Sequence, residues 1–543
     1  MTTTTALSNR QLLRAALVVL AGFLTSGILG LIRTAVFSAT FGTSAQLDAF
    51  YAAQRIPEML FTLVAGGALG SSFLPIFSRY LHEKDPSSAW RLASAVMTLS
   101  ALAAILLALV LVILAPFIVP RLLVPGRSLE EQTLTIALTQ LMLITTAIFS
   151  ISGLTMSILN AHQIFFLPAL AASMYNLGQI AGALILARMM PASEGVAQVN
   201  GANIYGLAWG AVLGALLHLA IQLPALPRIQ ARLTFLLAPR FPGVREVLLL
   251  MGPRVLGLAV VQINFAVNVA FASVMLEGSL TALNTAWVLM FFALGVIGQS
   301  MGTALFPSLS ALAAQGNFVG FRDRLSGALR AVLFLAFPAS VGLIVLGQPI
   351  IAVMFERGQF TAESTAATAW ALSFFAIGIA GHALLEVLSR AFYALSDTWT
   401  PVRIGLASMV SNIILSYVFI QFIGDPDSLI RGPFAGLALS NSLTTLLEGV
   451  ALWWLMQRKM HKRLEQQLES THDVAVLSSA GRALIAALGM GAAVWGTTQV
   501  LSEAHVMITV IAGIGVGVVA FFGLALLLGV EEAHTVPRLL LRR

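Results

Sequence analysis

Arg33 is the one charged residue between Ala21 and Phe41, in a run that is otherwise largely apolar. A guanidinium presents five donors in a fixed fork and can grip a phosphate or carboxylate bidentately. Holding it at membrane depth costs at least ~2.5 kcal/mol, so such a group faces a partner or a wet cavity. Three readings are open for Arg33: an anion contact, a structural pair with Asp48, or a side chain that snorkels towards the outer end of its span. Arg55 stands two residues before Pro57 and three before Glu58, a spacing that lets Arg55 and Glu58 pair on one helix face. Asp48 opens the same run, where an acid also suits a helix N-terminus. Arg254 follows Gly252-Pro253 and is either a ligand contact or a topology anchor. Asn264 and Asn268 are one turn apart and either line a cavity or bridge helices. His382, Glu386 and Arg390 stack at four-residue spacing. Glu386 and Arg390 suit a buried ion pair, and an intramembrane acid beside a histidine also suits ion or proton coupling. One histidine and one acid do not complete a metal site. Glu448 is a lone acid of the same ambiguous kind.

Helices that cross a membrane must position these groups. The 543-residue chain is 58% hydrophobic and only 10% charged, with a mean hydropathy of +0.91; an ordinary globular chain is roughly 25% charged. The apolar runs are about 20 residues or longer, enough to cross a ~30 Å hydrocarbon core. They are continuous rather than alternating, which excludes a porin-like barrel. There is no cysteine, which excludes disulfides, thiol catalysis and thiolate metal sites. The net charge of +7 lies in short loops beside the spans, a topology pattern rather than a nucleic-acid footprint. No cofactor is expected. The first span follows a short polar head with Arg10 and Arg14 and reads as a retained span, not a signal peptide.

Fourteen spans are predicted, near 11–40, 46–80, 90–116, 132–157, 162–189, 203–227, 247–275, 281–312, 325–346, 364–393, 400–424, 433–457, 477–500 and 505–530. Breaks are expected in spans one, two, seven and eight, which carry Gly27 and Gly30; Pro57, Gly66, Gly67, Gly70 and Pro75; Gly252 and Pro253; and Gly295, Gly298, Gly302 and Pro307. Such breaks are tolerated at membrane depth only where protein or water meets the freed backbone groups. With the N-terminus inside, 22 of the 30 Lys and Arg fall at cytoplasmic ends and loops and five in external loops, which predicts both termini in the cytoplasm.

The chain also nearly repeats itself at an offset of 227 to 233 residues. Leu114 to Gly126 aligns on Leu346 to Gly358, Asn160 to Pro168 on Tyr393 to Pro401, and Ile28 to Leu31 on Val255 to Leu258. Six spans per copy predict two parallel lobes around a central cavity, with the last two spans outside the repeat. The expected division is a first lobe at 1–230, a second at 231–457, a cytoplasmic linker at 458–482, and the last two spans with a tail at 483–543. The fold class is thus an all-α polytopic membrane protein of 14 transmembrane helices.

Leu29-Gly-Leu-Ile-Arg33, Asp48-Ala-Phe-Tyr51, Arg55-Ile-Pro57 and Phe73-Leu-Pro75-Ile-Phe-Ser78 resemble the N-terminal signature of the MurJ/MviN lipid II flippases. Met354-Phe-Glu-Arg-Gly-Gln-Phe-Thr361 and Ala391-Phe-Tyr-Ala-Leu-Ser-Asp397-Thr-Trp-Thr-Pro401 resemble its C-lobe motifs. The resemblance spans roughly residues 10 to 530. It implies a bacterial inner-membrane flippase that moves a polyprenyl-pyrophosphate glycolipid outward by alternating access. It also implies Arg33 in the head-group cavity and a tail groove beside the last two helices. Membrane lipids are expected partners, with a monovalent cation as a candidate coupling ion and no nucleic acid. The chain departs from the family where arginines commonly follow the span-two proline, here Met59 to Leu63, at Gly66 in place of a glutamate, and at Ala286 to Phe291 in span eight. Those departures keep two alternatives open: a flippase for another polyprenyl glycolipid, or an ion-coupled multidrug antiporter of the same superfamily. An enzyme is not expected, because no loop carries clustered carboxylates.

Overall fold

The computed structural model describes residues 9–66, 68–83, 86–191, 198–463 and 471–534; side chains before Ala21 and at 64–68, 71, 82–86, 253, 256–257, 260, 299–300, 303–304 and 471–473 lie outside the description. Arg10 and Arg14 as side chains, Gly67, and residues 464–470 of the expected linker lie outside that description. The described residues are helical almost throughout and fall into two compact units, Met1–Leu280 and Thr281–Arg543.

The first unit holds α1 (Asn9–Phe41), α2 (Ala45–Leu60), α3 (Ala68–Glu83), α4 (Pro86–Ile118), α5 (Leu129–Met142), α6 (Ile144–Ala161), α7 (Phe166–Ala181), the short α8 (Ala187–Met189), α9 (Tyr205–Ala220) and α10 (Pro242–Ser273). A π-helical turn, Phe61–Gly66, joins α2 to α3, and another, Gly182–Leu186, follows α7. The second unit takes α11 (Ser279–Leu294), a π-turn at Gly295–Gln299, α12 (Ser300–Ala314), α13 (Phe318–Phe355), α14 (Ala362–Ile377), α15 (Ile379–Ala394), α16 (Trp399–Phe422), α17 (Phe434–Arg463), α18 (Thr471–Val500) and α19 (Val506–Leu527).

Eleven helical segments are individually long and apolar enough to cross a membrane, and α14 with α15, bent by 44° around Gly378, makes a twelfth span. That is two fewer than the fourteen expected. Neither the α2–α3 stretch nor α10 meets the test among the described residues. The first is interrupted by its π-turn and carries Asp48, Arg55, Glu58 and Arg79; α10 carries Arg245, Glu246 and Arg254 in its first half, and its charge-free Val261–Ser273 is shorter than a span. The expected breaks appear in spans two and eight as π-turns, while α1 and α10 run unbroken through Gly30 and Gly252-Pro253.

The internal repeat is legible element by element. The π-turn Phe61–Gly66 recurs at Gly295–Gln299, α4 recurs as α13, and the interrupted pair α5 and α6 recurs as α14 and α15. The elbow between α6 and α7 places Gln163 at φ 62°, and the elbow between α15 and α16 places Ser396 at φ 58°, 233 residues later. Neither is glycine, although this region of backbone space favours it.

Packing in the first unit depends on small residues. Gly178 and Gly182 on α7 and its π-turn meet Gly206, Gly210 and Gly214 on α9, all at four-residue spacing. A Cβ on Gly178 would stand 2.3 Å from the Gly214 Cα, and one on Gly182 would stand 2.5 Å from the Gly210 Cα. Backbones approach this closely in membranes because van der Waals contact must replace the missing hydrophobic drive. In the second unit, α18 and α19 pack on α13 through Phe334, Leu346, Met490, Val494 and Phe521. Gly182→Val is expected to lower Tm in detergent by several degrees, because overpacking costs about 1–3 kcal/mol. Gly30→Ala, whose new methyl meets nothing within 4 Å, leaves Tm unchanged or raises it.

Candidate functional site

Arg33 lies three-quarters of the way along α1 against α7. Its Nη1 donates to Gln179 Oε1 at 2.9 Å, and Gln179 Nε2 donates to the Tyr175 hydroxyl at 3.1 Å. Asn176 Nδ2, one turn before Gln179, donates to the backbone oxygen of Ser26 on α1 at 3.2 Å. The Arg33 guanidinium also lies 5.9 Å from the Phe37 ring, and its Nε is buried without a hydrogen-bond partner. Among the described residues Arg33 forms no ion pair. The pairing with Asp48 left open by the sequence does not occur.

Asp48 instead closes a buried junction. Ser44 caps α2 by accepting from Leu47 N, and Asp48 sits in that first turn. Asp48 Oδ2 accepts from Arg127 Nη2 at 2.9 Å and from the backbone N–H of Gly278 at 2.8 Å. The two charged side chains are 4% and 8% exposed. Glu131, which forms a capping box with Ser128, lies 3.7 Å from Arg127. Ala45, Val124, Thr135, Ser273 and Leu280 complete the walls. The geometry makes this a structural tie between α2, the loop before α5 and the end of α10.

Arg55 donates to Glu58 at 3.1 Å, as its spacing suggested, and Gln54 Nε2 donates to the other Glu58 oxygen at 2.7 Å. The Phe265 ring of α10 lies 5.4 Å from the Arg55 guanidinium. One turn below, Gln262 Nε2 donates to Thr62 Oγ1 at 3.1 Å, so α10 rests on the π-turn of span two. Asn264 and Asn268 flank Phe265, and the Oδ1 of each is buried without a partner. Such acceptors suit hydroxyl or amide donors. Arg254 Nη1 donates to the buried Ser72 Oγ at 3.2 Å, linking α10 to α3.

In the second unit the stacked trio separates. His382 Nε2 pairs with Asn441 Oδ1 at 3.1 Å and faces the Trp287 ring edge-on, while Glu386 and Arg390 form an ion pair at 3.1 Å. Gly302 makes room for Arg390: a Cβ there would fall 2.0 Å from its Nη1. A Cβ on Gly405 of α16 would stand 3.4 Å from Glu448 Oε1. The two C-terminal motifs build corners. Phe355 and Phe360 are buried against each other, Glu356 accepts from Thr365 at 2.8 Å, and Thr361 caps α14. Asp397 accepts from the Thr400 N–H and hydroxyl and from Lys459 Nζ. Partial burial alone would raise the Asp397 carboxyl, but the hydrogen bonds from Lys459 and Thr400 hold it below the usual carboxylate range.

Gln179, Tyr175 and Arg127 were missed by sequence reasoning. Gln179 and Asn176 carried a signal, being polar residues three apart inside an apolar span. Arg127 carried none, because its partner Asp48 lies 79 residues away.

Asp48→Ala is expected to lower Tm far more than Glu58→Ala. The first takes from a buried guanidinium its closer carboxylate and leaves it Glu131 at 3.7 Å, a loss of up to about 3–5 kcal/mol; the second breaks a half-exposed pair worth about 0–1 kcal/mol. Asp397 contributes stability above the ordinary carboxylate pKa of about 4, and that contribution is lost as pH falls through its lowered value. The acid side of the Tm-against-pH curve should therefore flatten in Asp397→Asn.

The sequence fits the family profile described as lipid II flippase MurJ over residues 37–514. It is 30% identical over 455 residues to the lipid II flippase MurJ of Burkholderia cenocepacia, covering 83% of this chain and 84% of that one. It is 31% identical over 540 residues to a probable lipid II flippase MurJ of Bdellovibrio bacteriovorus, covering 98% and 97%. Its fold is similar to that of a lipid II flippase MurJ in an inward closed conformation, with a TM-score of 0.74, 24% identity, and 94% and 98% of the two chains covered. An inward-facing multidrug resistance MATE family transporter of the MOP superfamily shares the fold at a TM-score of 0.65 and 14% identity, covering 82% and 96%. This multi-pass membrane protein belongs to the lipid II flippase MurJ family.

Proposed function

We propose that this protein is a lipid II flippase of the bacterial inner membrane, with both termini in the cytoplasm. It carries the polyprenyl-pyrophosphate-linked peptidoglycan precursor from the cytoplasmic to the outer leaflet by alternating access. Family membership over most of the chain supports the activity. The single observation that carries the site is Arg33, an in-span guanidinium with a neutral partner and a donor to spare. A pyrophosphate head cannot enter hydrocarbon bare, because burying an isolated anion is prohibitive. Arg33 supplies the counter-charge, and Asn264 and Asn268 supply acceptors for head-group hydroxyls and amides. Arg55 and Arg254 act beside them as supports, since each is already committed to a protein partner. Asp48 holds the scaffold.

The membrane potential is the proposed driver. Moving two negative charges outward across an inside-negative potential of 100 mV is favoured by about 4.6 kcal/mol. Should a monovalent cation be exchanged, Glu386 is the acid we assign to it, freed when its pair with Arg390 opens.

Complementation of a strain depleted of its own lipid II flippase tests this reading. The intact chain is expected to restore growth and Arg33→Ala to lose at least tenfold in plating efficiency at equal expression. No rescue by well-expressed intact protein would move the substrate to another polyprenyl glycolipid. Because the chain lacks cysteine, single cysteines in α1 and α12 should change their labelling by an impermeant maleimide when substrate is supplied. Invariant labelling would sink alternating access.

A further inference from the structure

We propose that Gln179 is a positioning residue for the anion site: its neutral amide aims Arg33 while leaving the guanidinium charge uncompensated. This rests on Arg33 as a head-group contact. A buried or half-buried arginine is most directly satisfied by a carboxylate, and elsewhere the chain does this. Arg127 has Asp48, Arg390 has Glu386, and Arg330 has Glu531 and Glu532. Arg33 is given an amide instead.

That amide is tightly constrained. Gln179 is fully buried, and both ends of its side chain are used, the oxygen by Arg33 and the nitrogen by Tyr175. Reversing the amide would set its N–H donors against those of the guanidinium, which has no acceptor. The backbone beneath is held too. Gly178 lies against Gly214, and Asn176 ties α7 to the Ser26 carbonyl of α1. Tyr175 is braced against the Phe149 ring at 5.3 Å. A carboxylate here would grip Arg33 at least as well, by a charge-assisted bond, but it would cancel the positive charge that an anionic ligand needs. The amide keeps the local charge at one positive unit. The buried, unpartnered Arg33 Nε is a further donor to offer.

The test compares Gln179→Glu, Gln179→Met and Arg33→Ala in purified full-length protein, using lipid II labelled with a fluorophore on its stem peptide. Binding and Tm are read together. Gln179→Glu is expected to weaken binding at least tenfold with Tm unchanged or raised. Gln179→Met is expected to lower Tm while weakening binding less than threefold. A merely structural brace gives the opposite order, since glutamate keeps the hydrogen bond and methionine abolishes it, and that order would overturn the proposal. Wild-type affinity in Gln179→Glu alongside lost affinity in Arg33→Ala would overturn the role of Gln179 and spare that of Arg33. Wild-type affinity in Arg33→Ala would remove both. Tyr175→Phe serves if Gln179→Glu does not fold: it leaves charge intact and only frees the amide, so a loss of affinity below threefold is expected, and a tenfold loss counts against the proposal.

Discussion

A charge or an unpaired polar atom in hydrocarbon must find its partner inside the protein, and the arrangement of this molecule follows from that constraint. Hydroxyls inside the spans bond back to their own helices, as Thr34 does to Gly30, Thr139 to Thr135 and Thr444 to Ser440. Buried side chains that cannot do so tie two helices together. Ser152, His218 and Gln222 lock α6 to the end of α9, and Asn412 reaches Ser440 and Thr444 from α16 to α17. The same constraint acts on the arginines. Arg127 and Arg390 are neutralised by acids, Arg254 is met by a hydroxyl, and Arg33 is solvated by an amide.

Much of this was legible in the sequence, and the parts that were not share a cause. Long apolar runs identified the helices, and the glycine and proline punctuation located the breaks in spans two and eight. Punctuation misled at Gly30 and Gly252-Pro253, where the helices run on. Local spacing found the Arg55–Glu58 and Glu386–Arg390 pairs, because three or four residues make one turn. It failed for Asp48 with Arg127, Arg33 with Gln179 and His382 with Asn441, which lie 79, 146 and 59 residues apart. A single sequence shows that a buried charge needs a partner; only the packing shows which. The resemblance to lipid II flippases singled out Arg33 but said nothing of the helix it packs on.

The duplicated scaffold and its unduplicated chemistry are separate matters. Helix pairs, π-turns and elbows recur in both halves, yet at an offset of 227 Arg33 falls on Val260. The copies share how to bend and pack. They differ in which polar groups they carry: one half holds an in-span arginine on an amide, and the other pairs Arg390 with Glu386.

The two elbows show what such a scaffold can transmit. Gln163 and Ser396 both hold left-handed backbone without glycine, a conformation that costs about 1–3 kcal/mol and persists only where surrounding contacts over-determine it. Hydrogen bonds across each elbow, from Ile164 N to Leu159 O and from Asp397 N to Phe392 O, supply part of that determination. Each elbow is therefore a stiff crank rather than a joint. When α6 or α15 tilts, α7 or α16 must turn with it. In the first half, the arm of the crank is α7, the helix whose Gln179 accepts from Arg33.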